Sequence, residues 1–240
     1  MQDTSRVENY DAIISSGEYY TETKVKINGV EYGEDMLVSV SSNAALFGDQ
    51  NPTVGTAIAR EIDFEMRYPN ETIPKTAEIR VYIRIYNDEL VSGWIPKGVF
   101  RIDTRGKVEG DDSEHLPIHG YDDMLKTEQD YPSSQLEWSE TSPNERAVLD
   151  EIAAAIGVEL DDRTKAAFLE NSGYIVGFPA GYTMREVLCS IGAMHGGSFC
   201  MSDEGKLLFV GLTDLPEETN YLITQTGNYI TFGGKRILLR

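Results

Sequence analysis

The stretch TMREVLCSIGAMHGGSFCMSDEGKLLFV, Thr183 to Val210, holds a capped helix, its glycine stop and a β-hairpin in one short passage. Thr183 is placed to cap the helix, and Glu186, three residues on, to bond back to the N–H of the cap. Val187, Leu188, Ile191 and Met194 then fall on one apolar stripe. Gly196 and Gly197 end the helix where a left-handed residue costs little. The chain continues as a strand from Ser198 to Met201, turns through Ser202-Asp203-Glu204-Gly205 and returns from Lys206 to Leu212. This is a packing unit without a catalytic signature.

The residues around it extend the same α+β theme. Upstream, Ser142-Pro143-Asn144-Glu145 predicts a helix start, with Ser142 as cap, proline at the first helical position and Glu145 closing a capping box. Val148, Leu149, Ile152 and Ile156 carry that helix to a stop at Gly157. A short helix near Asp162 to Leu169 and an extended segment from Tyr174 to Phe178 follow. Downstream, Tyr221 to Thr224 and Tyr229 to Phe232 predict a hairpin about Gln225 to Asn228, with Lys235 to Leu239 as a last strand.

The first half of the chain reads as β-structure. In Glu78 to Tyr86, Ile79, Val81, Ile83 and Ile85 face one way and Arg80, Tyr82, Arg84 and Tyr86 the other, a strict period of two that predicts a long half-buried strand. Glu22 to Ile27, Val30 to Tyr32, Met36 to Ser42 and the alternating Ile62, Phe64 and Met66 are further strands, and Asn28-Gly29 is a two-residue turn signal. Trp94 to Asp103 is extended across Pro96-Lys97-Gly98, which suits a bulge or a sheet edge. His115 to His119 leads to a short helix over Tyr121 to Glu128. The expected class is α+β, mostly antiparallel β, with two β-rich, barrel- or tube-like domains and a few packed helices. Residues 1–20 read as an arm or first strand, 21–130 as the barrel-like domain, 131–141 as a linker and 142–240 as the second, tube-like domain.

Composition narrows the function. A chain of 240 residues with 40% hydrophobic content buries a sizeable core. The net charge of −19 arises from an acidic excess in both halves and argues against tight binding to a phosphate backbone. Two cysteines, Cys189 and Cys200, form no redox or zinc motif and read as small half-buried hydrophobes of a protein made in a reducing cytosol. There is no secretion signal and no apolar run long enough to span a bilayer.

Each candidate for chemistry has a structural reading that outweighs it. His115 and His119, near Asp122 and Asp123, have metal-ligand residue types, but Pro117 between them forbids a regular helix, and a metal site is not expected. His195 before the two glycines suits a helix C-terminus, where imidazolium meets the negative end of the dipole. The glycine runs Gly192 to Gly197 and Gly233-Gly234 lack the strand–loop–helix context of a phosphate loop. The acidic pairs Asp111-Asp112, Asp122-Asp123 and Asp161-Asp162 are what 40 acidic residues produce by chance. The site-residue expectation is therefore no catalytic, cofactor-binding or metal residue, and no cofactor.

Two phrases carry a resemblance: GWIPKGVFRIDTR at Gly93 to Arg105 followed by LPIHGYDDMLKTEQDY at Leu116 to Tyr131, and GYTMREVLCSIGAMHGGSFCMSDEGKLLFVGL at Gly181 to Leu212. Together they resemble the baseplate hub tail proteins of contractile-tailed bacteriophages and prophages, over about residues 20 to 240. The resemblance implies a virion structural protein and no enzyme. It further implies two tube-like domains per subunit, a homotrimer, and a pseudo-sixfold ring joining the tail tube to a threefold spike. Members often run on beyond the phrase at Gly227 to Leu238, so this chain reads as a fragment or a short version. In such a hub part of the negative charge would face the lumen, where it repels passing DNA, and open strands such as Glu78 to Tyr86 would bond across subunits. The alternatives are a carbohydrate- or receptor-binding β-module, for which 13 Tyr and 2 Trp supply stacking surfaces, and a cell-wall hydrolase, which needs an acidic pair in a cleft. An exposed aromatic cluster would favour glycan binding, and buried aromatics the hub.

Overall fold

The computed structural model describes residues 7–46, 53–106, 115–132, 136, 138–140, 143–170, 173–212, 231–232 and 235–236. Seven strands form one antiparallel sheet: β1 Tyr20–Ile27, β2 Val30–Tyr32, β3 Leu37–Asn43, β4 Glu61–Arg67, β5 Glu78–Tyr86, β6 Ile95–Arg105 and β7 His115–Tyr121. Their order is β2-β1-β5-β6-β7-β4-β3. Alternation decides which face is covered. Val25, Ile27, Ile62, Phe64, Met66, Ile79, Val81 and Phe100 share one cluster, each worth about 1.5–3 kcal/mol on burial. Side chains from β1 and β4 meet there although three strands separate them, so the sheet curls around its core. It does not close into the expected barrel, because β2 and β3 pair on one side only.

Local chemistry fixes the details. Asn28 and Gly29 both take positive φ, 48° and 87°, as a two-residue hairpin turn demands. Between β5 and β6 the register passes from Val81 opposite Gly98 to Tyr82 opposite Pro96, leaving Lys97 as the extra residue of a bulge. The proline is thus accommodated inside the sheet by a bulge rather than at an edge. The strand Glu78–Tyr86 is flanked by β1 and β6, so it is not available to bond across subunits, and the edges are β2 and β3. Within the stretch expected as an arm or first strand, Tyr20 does begin β1, but residues 10–16 are helical: α1, Tyr10–Ser16, buries Ile13 against the sheet and ends at Gly17 with φ 79°.

The second region is built on α2 Glu145–Ile156, α3 Asp162–Ala167, α4 Met184–Met194, β8 Gly197–Met201 and β9 Leu207–Gly211. The Thr183–Glu186 capping box is present in both directions. For α2 the cap is Asn144, whose side chain accepts from Ala147 N at 3.1 Å. Glu145 is therefore the first helical residue and turns inward, 1% exposed, rather than closing a capping box. The expected helix over Tyr121 to Glu128 is a 3-10 turn from Asp123, capped by Asp122, while Tyr121 still belongs to β7. Tyr174 to Phe178 forms no strand; Ile175 makes a single bridge to Asn144. The hairpin expected about Gln225 to Asn228 lies outside the described residues, whereas Thr231–Phe232 (β10) pairs with Lys235–Arg236 (β11). No helix among the described residues is long and apolar enough to cross a membrane.

The two regions interlock. The β8–β9 hairpin receives Gly55 N on Gly197 O at 2.7 Å and donates Phe199 N to Thr56 O at 2.8 Å, while on its other side Asp161 N reaches Leu207 O at 2.9 Å. Its core joins Ala57 and Met124 to Leu149, Ile152, Leu188, Ile191, Phe199 and Phe209. Arg60 clamps the junction. Its Nε lies 3.2 Å from Asp122 Oδ2 and its Nη1 2.8 Å from Asp203 Oδ1. Its Nη2 donates to Ser202 O at 3.0 Å, and the guanidinium carbon lies 5.6 Å from the Phe100 ring centroid. Burial pushes the Asp122 carboxyl up to about 6, against the pull of Arg60 and the Met124 N–H.

Three expectations follow for equilibrium denaturation. A Cβ on Gly197 would sit 2.4 Å from Phe209 Cζ and 2.5 Å from Val210 O. Gly197→Ala should lose about 2–3 kcal/mol through overpacking, against about 1 kcal/mol for Gly157→Ala, where only the φ of 78° is strained. Arg60→Met strands Asp122 and should cost about 3–5 kcal/mol. Because the folded Asp122 holds its proton above the ordinary carboxyl range, its contribution to stability rises as pH falls through about 6. Wild type should therefore gain about 1 kcal/mol on Asp122→Asn between pH 7 and pH 5; a pH-independent difference between the two proteins would refute the assignment.

Candidate functional site

The residues singled out for chemistry are dispersed into structural roles. His115 and His119 do share one face of β7, but Asp122 and Asp123 turn away from them. His119 Nδ1 lies 2.7 Å from Asp63 Oδ1 on β4 and its ring stands edge-on to Tyr121. Asp122 serves Arg60, and Asp123 Oδ1 meets Arg101 at 3.3 Å and Lys126 at 2.7 Å. Asp161 caps α3 and pairs with Arg163, Asp162 pairs with Lys165, and Asp111-Asp112 lies outside the described residues. Among the described residues no three His, Cys, Asp or Glu side chains are grouped to hold a metal ion. Cys189 and Cys200 are both free, and burial pushes the Cys200 thiol up to about 11, far from a reactive thiolate.

His195 stands at the C-terminal cap of α4, as its position before the glycines implies. It also has a partner that the sequence did not signal: its Nε2 lies 2.8 Å from Glu145 Oε1. The other oxygen of Glu145 accepts from Tyr174 N at 3.2 Å, and Glu145 N donates to Tyr174 O. The close approach is open because residue 173 is glycine, whose Cβ would meet Glu145 Oε2 at 2.7 Å. The His195 ring packs edge-on against Phe168 at 4.8 Å. One buried carboxylate thus pins the segment after Gly173 to the helices.

That segment and α4 form the walls of an apolar groove of about 360 Å³. Tyr174, Ile175, Phe178, Tyr182 and Met194, all on its lining, are 46–58% exposed. Several large apolar side chains are therefore exposed in one place. The polar groups of the groove are engaged internally: Glu186 bonds the Thr183 cap at 2.7 Å and Ser190 Oγ donates to Glu186 O. Beyond the wall, Phe178 packs on Trp138 and Trp138 on Tyr131.

A second feature occupies the solvent face of the sheet. Register places Tyr20 opposite Tyr86, Glu22 opposite Arg84, Lys24 opposite Tyr82 and Lys26 opposite Arg80. Lys24 Nζ and Arg84 Cζ lie 4.2 and 4.6 Å from the Trp94 ring centroid, within cation–π range. Each of these cations also meets a carboxylate, Lys24 and Lys26 reaching Glu31, Arg80 reaching Glu78 and Arg84 reaching Glu22.

No protein-family model matches the chain, and no curated protein matches it. Solved structures are similar to it. The 43 kDa tail protein of prophage MuSo2 from Shewanella oneidensis matches over 80% of this chain and 56% of its own, at 12% identity and a TM-score of 0.53. A tail protein from Neisseria meningitidis MC58 matches over 79% of this chain and 51% of its own, at 16% identity and a TM-score of 0.49. The chain thus spans about half the length of each. Over 80% of its length the chain is similar in fold to the prophage MuSo2 tail protein.

Proposed function

We propose that this chain is a non-enzymatic structural protein of a phage or prophage tail. In this reading it is a baseplate hub subunit that assembles as a trimer, joins the tail tube to the central spike and lines the DNA channel. The observation that carries the reading is the fold shared with the MuSo2 tail protein over 80% of the chain. The two hub-like phrases lie where such a role needs order: one builds β6 and β7 and the other the α4–β8–β9 unit. The negative charge is consistent with a wall that lets a polyanion pass, and two free cysteines fit synthesis in a host cytoplasm before incorporation into the virion.

A carbohydrate- or receptor-binding module is the second reading, and the exposed Tyr174, Phe178 and Tyr182 are an aromatic cluster of the kind expected to favour it. Sugars need hydrogen-bonding groups beside the aromatic faces, and Glu145, Glu186 and Ser190 are already bonded within the protein. The groove suits an apolar protein surface better than a glycan.

Sedimentation velocity over a wide concentration range tests the proposal. A concentration-dependent trimer, seen as a ring with a central channel in electron micrographs, is the expected result. A monomer at every concentration would move the assignment to the binding module.

A further inference from the structure

We draw no further inference here: the strongest candidate, the exposed apolar groove between α4 and the segment from Tyr174 to Tyr182, carries no proposal because its carboxylates Glu145 and Glu186 are bonded within the protein and nothing in the structure shows what covers it.

Discussion

A buried guanidinium must be met on every side by acceptors, and Arg60 imposes that requirement on three parts of the chain at once. Asp122 comes from the end of β7, Ser202 and Asp203 from the turn between β8 and β9, and Phe100 from the middle of β6. The bulge at Lys97 belongs to the same constraint. A Cβ on Gly98 would stand 2.4 Å from the Phe100 ring and 3.4 Å from Arg60 Nη2, so the ring and the cation can stack only where residue 98 has no side chain. The hairpin is held in turn by backbone bonds from Gly55 and Thr56 on one side and Asp161 on the other. The sheet and the helical region cannot move apart without exposing Asp122, which lies wholly inside.

Glu145 repeats this logic on a smaller scale. Its two oxygens are divided between His195, at the end of one helix, and the N–H of Tyr174, at the start of the groove wall. Burying the charge organises the loop, and the organised loop presents Tyr174, Phe178 and Tyr182 outward on a firm base.

The fold was legible wherever a residue's neighbours in sequence decide its conformation. The period of two in Glu78–Tyr86, the positive-φ turn at Asn28-Gly29 and the capping box at Thr183 and Glu186 are local, and each stands in the structure as the pattern implies. Alternation also identified Ile62, Phe64 and Met66 as core. What failed was non-local. Glu145 looks like the third residue of a capping box, yet its destination is His195, fifty residues away. Arg60 carries no sequence signal at all, because its meaning lies in Asp122 and Asp203. Curling without closure was equally invisible: strand pattern gives a buried face but not which strands end up at the edges. Counting gave acidity in both halves, and register alone revealed that the cations of β1 and β5 share one face and meet carboxylates there.

These constraints bear on how the sheet and the helical region are held relative to one another. The strand-like seam from Gly55 to Ala57 supplies backbone bonds along the β8–β9 hairpin, and the Arg60 junction adds side-chain bonds that are met in one arrangement of β7 and the hairpin turn. A buried ion pair adds little net stability over well-packed hydrophobes, whereas removing one partner leaves the other charge buried and unpaired. The junction therefore penalises displacement of one region against the other more than it deepens the folded state, and the apolar cluster around Leu149, Leu188 and Phe199 supplies the bulk of the burial.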